Sequence, residues 1–408
     1  LPLASQAAPA CVNIFAPVSF TSIVTETTPL KQWRRWEQLA NQARFRTSQA
    51  PVRVPFVKVP AGHVIVHSLG EVSAKLKALL EDPAGTFARW FRHPFAREAK
   101  LPYAAAPEDG SVEAYLTASR SLELNMGEEH YSIKLATERP HGPEGRIQLK
   151  KASVAEDIRD AKSRMPYIAQ VDAKIGEEPT IVFAKEVVAV EDGETGEGFL
   201  IRELSFLGSG NYYLPAFSLP YVGREIAEYN GAEPEAFWKT HYAKVLGRAK
   251  AQLLLRYGLQ METPNAQNFL IELDPDLRPT GRIVIRDLSD TQLVRPIARA
   301  LGEGDTLKSD HEARVANTNS LRPWGRNSLW KMDEAEERSF SEDTLHSWYH
   351  AHNQAYRQEL ERVLGVDLSR FKKLDLNSEL DEFMVSRPVQ MALAKHRAEL
   401  IRRHRLGF

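Results

Sequence analysis

Apolar and polar residues change rhythm several times along this chain. VRVPFVKVPAGHVIVHSL (52–69) alternates β-branched and polar residues around a Pro-Ala-Gly turn, which predicts a hairpin. EVSAKLKALLED (71–82) sets Val72, Leu76, Leu79 and Leu80 at the spacing of one helix face. A second helix is predicted to start at a Ser153 cap and run toward Met165. TIVFAKEVVAVED and GEGFLIRELSF (180–206) are apolar runs joined by the Gly- and acid-rich GETGEG, the pattern of another hairpin. A long helix is predicted over 234–258, with Pro234 near its start and Gly258 just past its end. FLIEL and GRIVIRD, separated by the turn-rich DPDLRPTG, predict a strand, a turn and a strand. The polar, Asn/Ser/Arg-rich stretch 307–330 predicts a long surface loop, and helices are expected over 342–365 and 389–405. There is no internal repeat.

At 408 residues the chain is long enough for two or three subdomains. The pattern divides it into a mixed N-terminal region (1–125), an α/β region that alternates strands and helices (126–300) and a mainly helical region (301–408). Lys plus Arg number 53 against 54 Asp plus Glu, for a net charge of -1, so no global field draws the protein to nucleic acid or an anionic membrane. The single cysteine, Cys11, excludes an internal disulfide framework and a Cys-based zinc cluster, which suits a reducing, cytoplasmic setting. The first residues, LPLASQAAPACVNIFAPVSF, lack the basic segment of an intact signal peptide, and export of a mature form stays open. No apolar run approaches the roughly 18–20 residues needed to span a bilayer.

The α/β region carries the candidate chemistry in four blocks: SIKLAT (132–137), FLIREL (199–204), NAQNFLI (265–271) and VIRDLSD (284–290). Asn268 and Asp287 fall at matching places on the two strands of the third and fourth blocks. Two hard oxygen donors on neighbouring strands can share one Mg²⁺, whose shell is completed by water and phosphate. Protein kinases place an Asn, an Asp and a strand Lys in this way, with Lys134 the candidate lysine here and Arg202-Glu203 on a strand beside the cleft. There is no GxGxxG before Lys134, no HRD and no DFG, which argues against an ordinary protein kinase.

Each residue also has a plainer reading. Lys134 fits a solvated edge lysine, Arg202-Glu203 a structural ion pair, and Asn265, Gln267 and Asn268 turn residues after Pro264. Arg146, with Lys150 and Lys151, fits a solvated basic face. Asp287 stands apart, because an acid directly after an apolar strand carries a desolvation cost. GSGNYYLP (208–215) is not a P-loop and predicts a flexible lip from which Tyr212 and Tyr213 could stack on a ligand. The twelve histidines form no metal set; HSWYH (346–350) is not HExxH.

Taken in order, the four blocks resemble the NRPS-independent siderophore synthetases, the aerobactin-synthetase-like enzymes. That family's pattern runs as a K-L strand with downstream Thr and Arg, an L-R-E strand, an E-x-H-x-Q-N segment and a closing R-D. Lys134-Leu135, Arg202-Glu203, Gln267-Asn268 and Arg286-Asp287 match it over about residues 130–300. The resemblance implies an α+β fold with a kinase-like, palm-type ATP cleft, and ATP and Mg²⁺ as cofactors. It implies activation of a small carboxylate as an acyl-adenylate, followed by attack of an amine or alcohol. Under it Lys134, Arg146 and Asn265 are catalytic; Lys134, Thr137, Arg146, Arg202, Glu203 and Gln267 bind the nucleotide; Asn268 and Asp287 hold the metal. Asn265 stands where the family has His, an amide donor in place of a group that can carry charge. A divergent kinase-like phosphoryl- or nucleotidyl-transferase, and a catalytically silent relative that binds a ligand or partner, remain the other readings. Substrate identity and a homo-oligomeric state stay open.

Overall fold

The computed structural model describes residues 28–41, 48, 50–94, 101–137, 153–261, 265–303, 329, 340–371, 374 and 378–407. Arg146 and the stretch 307–328 lie outside them. Helix α1 (Pro29–Asn41) is followed by β1 (Val52–Pro60), β2 (Val64–Ser68), α2 (Ala74–Leu80), β3 (Phe87–Phe91), β4 (Gly110–Leu116), β5 (Ser121–Met126) and β6 (Glu129–Leu135). Next come α3 (Ala155–Ile175), β7 (Ile181–Phe183), β8 (Glu186–Asp192), β9 (Gly198–Glu203), β10 (Tyr212–Pro215), α4 (Leu219–Tyr229) and α5 (Pro234–Trp238). Then follow α6 (Lys244–Tyr257), β11 (Leu259–Met261), β12 (Phe269–Leu273), β13 (Pro279–Ile285), β14 (Thr291–Leu293), α7 (Arg295–Ala300), α8 (Glu342–Leu364), α9 (Ser378–Met384) and α10 (Arg387–Leu406). The protein is α+β.

Eight strands form one antiparallel sheet in the order β2-β8-β9-β6-β5-β4-β1-β3, so strands from both sides of residue 125 share it. The strands predicted over 52–69 both form, but they pair with other partners, β1 with β3 and β4, and β2 with β8. Only Ala61, Gly62 and His63 separate them, a link that spans at most about 15 Å. In a flat sheet their positions would lie about 29 Å apart. The sheet therefore curls, and Trp90 and Phe91 of β3 meet Phe199 of β9 at ring separations of 6.1 and 5.6 Å. Inside the curl, Val54, Leu116, Leu122, Ile133, Phe199 and Ile201 bury one face of the strands. The other face carries Leu200 and Ala189 against Val154, Ile158 and Ala161 at the start of α3.

A second sheet runs β10-β12-β13-β7, with β13 and β7 parallel and the other pairs antiparallel. The predicted strand, turn and strand of 269–285 form as β12 and β13, with Phe269 opposite Ile285. The predicted hairpin of 180–206 forms from β8 and β9, while 181–183 leaves it to join the second sheet as β7. GSGNYYLP is not a free lip: Tyr212 and Tyr213 are 7% and 1% exposed within β10, because both rings pack into cores. The helix predicted over 234–258 is broken into α5 and α6 by a π turn at Lys239–Ala243. Gly258 closes α6 in the left-handed conformation at φ 64°, where its N–H donates to the Leu254 carbonyl. Gly247 allows α6 to touch α8, since a Cβ there would collide with the His352 carbonyl. Among the described residues no helix is long and apolar enough to cross a membrane.

Candidate functional site

The cleft lies between the α3-facing side of the large sheet and the ends of β12 and β13, with α1 along its edge. Its cavity volume is about 100 Å³, and it is open to solvent. Register explains which side chains reach it. Lys134 on β6 sits opposite Ser121 and Leu200, and Ser132 sits opposite Arg202 and Glu123. Residues directly opposite share a face, and neighbours along a strand alternate. Ser132, Lys134 and Arg202 therefore face the cleft together, and all three line it. Glu203 sits opposite Tyr131, whose ring is in the core of the curl, so strand alternation turns Glu203 away from Arg202.

On the opposing wall, Asn268 ends a 3-10 turn (Ala266–Asn268), and its carbonyl accepts from the Arg286 N–H at 3.0 Å. One residue further, Asp287 takes φ 64° and ψ 49°. The left-handed region costs a non-glycine residue about 1–2 kcal/mol, although Asp tolerates it better than most. This turn directs the Asp287 carboxylate back across the cleft, where its Oδ1 is 3.0 Å from Lys134 Nζ and 2.8 Å from Arg202 Nη2. Two strand residues of the large sheet and one from the turn after β13 thus meet at one oxygen.

Each cation of this group is shared. Lys134 Nζ is also 3.2 Å from Asp157 on the first turn of α3, and Arg202 Nη2 is 2.9 Å from Glu186 of β8. Arg120 approaches Asp157 at 3.7 Å and donates to the Ser153 carbonyl at 2.9 Å. Arg286 bonds Glu37 of α1 at 2.8 Å. Burial alone would raise the Asp287 pKa, but Lys134 and Arg202 outweigh it and hold the carboxyl well below the usual carboxylate range. At Glu186 burial dominates and raises the pKa, against the pull of Arg202.

The apolar residues of the lining, Trp33, Ala184, Leu204, Phe206 and Leu270, belong to one packed cluster. Gln267 also lines the cleft. Thr137, buried just past β6, and Asn265, whose carbonyl accepts from the Asn268 N–H at 2.9 Å, are not among its lining residues. The structure thus brings together Lys134, Arg202, Gln267, Asn268 and Asp287 of the residues expected from sequence, and it adds Glu37, Arg120, Asp157 and Glu186. Instead of the Arg202-Glu203 pair, Arg202 bonds Glu186 and Asp287. Glu186 had a readable signal, as an acid opening the apolar run VVAV of a predicted hairpin. Glu37 had none.

Among the described residues no group of three or more His, Cys, Asp or Glu could hold a metal. Asp287 and Asn268, a carboxylate and a carboxamide, both line the cleft, and they are donors of the kind Mg²⁺ accepts, since it takes one or two carboxylates and fills its shell with water and phosphate.

No family model and no curated protein matches the sequence. Solved structures do match in fold. The ATP-bound aerobactin synthetase IucA from a hypervirulent pathotype of Klebsiella pneumoniae superposes with a TM-score of 0.55 at 15% identity, over 77% of this chain and 62% of that one. A further structure of aerobactin synthetase IucA from the same pathotype gives a TM-score of 0.50 at 14% identity, over 83% of this chain and 65% of that one. The chain therefore shares its fold with siderophore synthetases and spans under two thirds of the length of these relatives.

Proposed function

We propose that the protein is an ATP- and Mg²⁺-dependent carboxylate ligase of the siderophore-synthetase type, with a kinase-like, palm-type nucleotide cleft. The observation that carries this reading is the meeting of Lys134 and Arg202 at one Asp287 oxygen in a cleft whose apolar lining residues form one packed cluster. Four cations lining or bordering the cleft (Arg120, Lys134, Arg202, Arg286) are balanced by four acids (Glu37, Asp157, Glu186, Asp287). A bare polyphosphate entering such a site would face carboxylates that already hold the cations. A nucleotide that brings a divalent cation does not, because Asp287 and Asn268 would take the metal and release Lys134 and Arg202 to the phosphates. When bound, Mg²⁺ supplies a Lewis acid that withdraws charge from phosphate oxygen.

The chain's own residues then divide the remaining work. Trp33, Leu204, Phe206 and Leu270 give the base an apolar wall that excludes water. Asp157 keeps a hold on Lys134 from the far side, so the ammonium swings between Asp287 and a phosphate without leaving the cleft. Lys134 and Arg202 offset charge as a substrate carboxylate oxygen attacks the α-phosphorus and pyrophosphate leaves. Attack of an amine or alcohol on the acyl carbon then expels AMP, and its proton passes to solvent.

The pairing of strand Lys134 with Asp157 on the following helix supports a second reading, since protein kinases hold their phosphate-binding lysine with a helix acid in this manner. Product analysis separates the two. With a panel of di- and tricarboxylates and amines, a ligase releases AMP and pyrophosphate, whereas a phosphoryl-transferase releases ADP. Release of ADP alone, or of no product by folded protein that binds Mg·ATP, overturns the ligase reading.

A further inference from the structure

Helix α1 crosses the mouth of the cleft and is bonded to both walls. On the large-sheet side Gln38 Nε2 donates to the Leu116 carbonyl at 3.1 Å and Asn41 Nδ2 to the Thr117 carbonyl at 2.9 Å, at the turn that carries Arg120. On that side too, Arg34 forms a bidentate pair with Glu123 at 2.5 and 2.6 Å. On the small-sheet side Ser218 Oγ donates to the Trp36 carbonyl at 2.9 Å, Trp36 packs on Tyr212 and Trp33 on Leu270 and Val284, and a buried ion pair joins Glu37 to Arg286, whose side chains are 4% and 9% exposed.

Arg286 passes this connection on. Its Nε donates to the Gln267 carbonyl at 2.6 Å, and its backbone N–H donates to the Asn268 carbonyl at 3.0 Å. Two consecutive carbonyls of the turn that presents Gln267 and Asn268 to the cleft are therefore held by one arginine, and that arginine is held by one acid from a helix some 250 residues earlier in the chain. A guanidinium this deeply buried keeps its place only while its charge is matched. Without Glu37 it would turn toward the solvent of the cleft and release the Gln267 carbonyl.

We infer that Glu37 is a positioning residue for the nucleotide site, acting through Arg286 to fix the turn 266–268 and hence the Asn268 carboxamide. The inference rests on the function proposed above for its ligand but not for its geometry. Residues that orient a metal ligand from behind typically cost 10- to 100-fold in metal affinity when lost. Glu37→Gln keeps an oxygen that can accept from Arg286 and removes the charge.

Two measurements on the full chain test this. Hydrogen–deuterium exchange of the peptide covering 265–273 should be severalfold faster in Glu37→Gln than in the wild type. The Mg²⁺ concentration for half-maximal ATP binding should rise about tenfold, with Glu37→Asp recovering part of the loss. Gln38→Ala, which loosens α1 from the other wall, should leave both readouts near wild type while lowering thermal stability. Equal shifts in Gln38→Ala and Glu37→Gln would make α1 a general scaffold and overturn the inference, as would a Glu37→Gln protein that fails to fold. If the wild type binds no Mg·ATP yet Glu37→Gln still speeds exchange at 265–273, the ligase reading falls and the positioning role stands. If binding is Mg²⁺-dependent and indifferent to Glu37, only the positioning role falls.

Discussion

Two regions of this protein concentrate buried charge, and they handle it differently. Between α3, α7 and α10, Glu303 bonds Lys174 at 2.7 Å and also bonds Arg397, whose Nη1 donates to the Arg256 carbonyl at 3.1 Å. Arg256 in turn bonds the Gly176 carbonyl at 2.7 Å and lies 3.3 Å from Glu178. In this knot the partners are protein groups, backbone carbonyls included, so its charges are closed upon one another. In the cleft, Lys134 and Arg202 share a carboxylate that is 24% exposed and faces open space. Buried ion pairs are weak evidence of function by themselves. What distinguishes the cleft is that its charges border a volume a ligand can enter and that the shared acid sits in a strained backbone conformation.

The largest expected effect breaks the comparison from the closed side. Glu303→Gln leaves Arg397 and Lys174 without their shared acid, and the protein should lose about 3–5 kcal/mol of stability in denaturant titration while activity per folded molecule is kept. Loss of activity without loss of stability would show that the knot reports to the cleft. Next, Lys134→Ala should reduce nucleotide turnover by about 10²- to 10³-fold, the scale for a donor that meets transition-state charge, with a stability change of only about 1–2 kcal/mol. A variant that merely unfolds would make Lys134 a structural residue.

Smaller again, Asp287→Asn should weaken Mg·ATP binding by about 1–3 kcal/mol with the fold intact, which isothermal titration with and without Mg²⁺ can read. Binding that stays Mg²⁺-dependent and unchanged would remove Asp287 from the metal site. The subtlest test uses acid. His396 on α10, beside the knot, has its pKa pushed down to about 4, chiefly by burial and then by Arg256, Arg362 and Arg397. Because the folded value lies below the unfolded 6.5, the unfolded state binds more protons in this window, and His396's contribution to stability should be lost as pH falls from 6.5 to 4. The depressed Asp287 keeps its charge through the same window, so the cleft's ion pair should outlast the helical region, as residue-resolved exchange can show. Replacing His396 with Gln should flatten the loss of stability between pH 6.5 and 4.

Local pattern determined a good part of this protein. The apolar runs of β8 and β9, the strand, turn and strand of 269–285, the Ser73-capped helix at 74–80 and the glycine stop at 258 are set by neighbouring residues, whose periodicity and caps act within a few positions. The neighbourhood of Asn268 and Asp287 follows from the same pattern, although both lie just outside the strands, Asn268 at the end of the turn before β12 and Asp287 in the turn after β13. What tertiary structure decided is everything that depends on which strand lies beside which. VRVPFVKVPAGHVIVHSL makes two strands under either arrangement, and only the curl of an eight-stranded sheet sends them to different partners. Arg202 next to Glu203 in sequence reads as a pair, but alternation along β9 puts them on opposite faces, and Glu186 becomes the partner through register. Glu37 shows the limit most sharply: it is the one acid of its helix, with nothing nearby in sequence to mark it, and its meeting with Arg286 exists only because α1 lies across a cleft built by strands that follow it in the chain. Periodicity is a short-range property of the chain, whereas an ion pair across 249 positions is decided by packing alone.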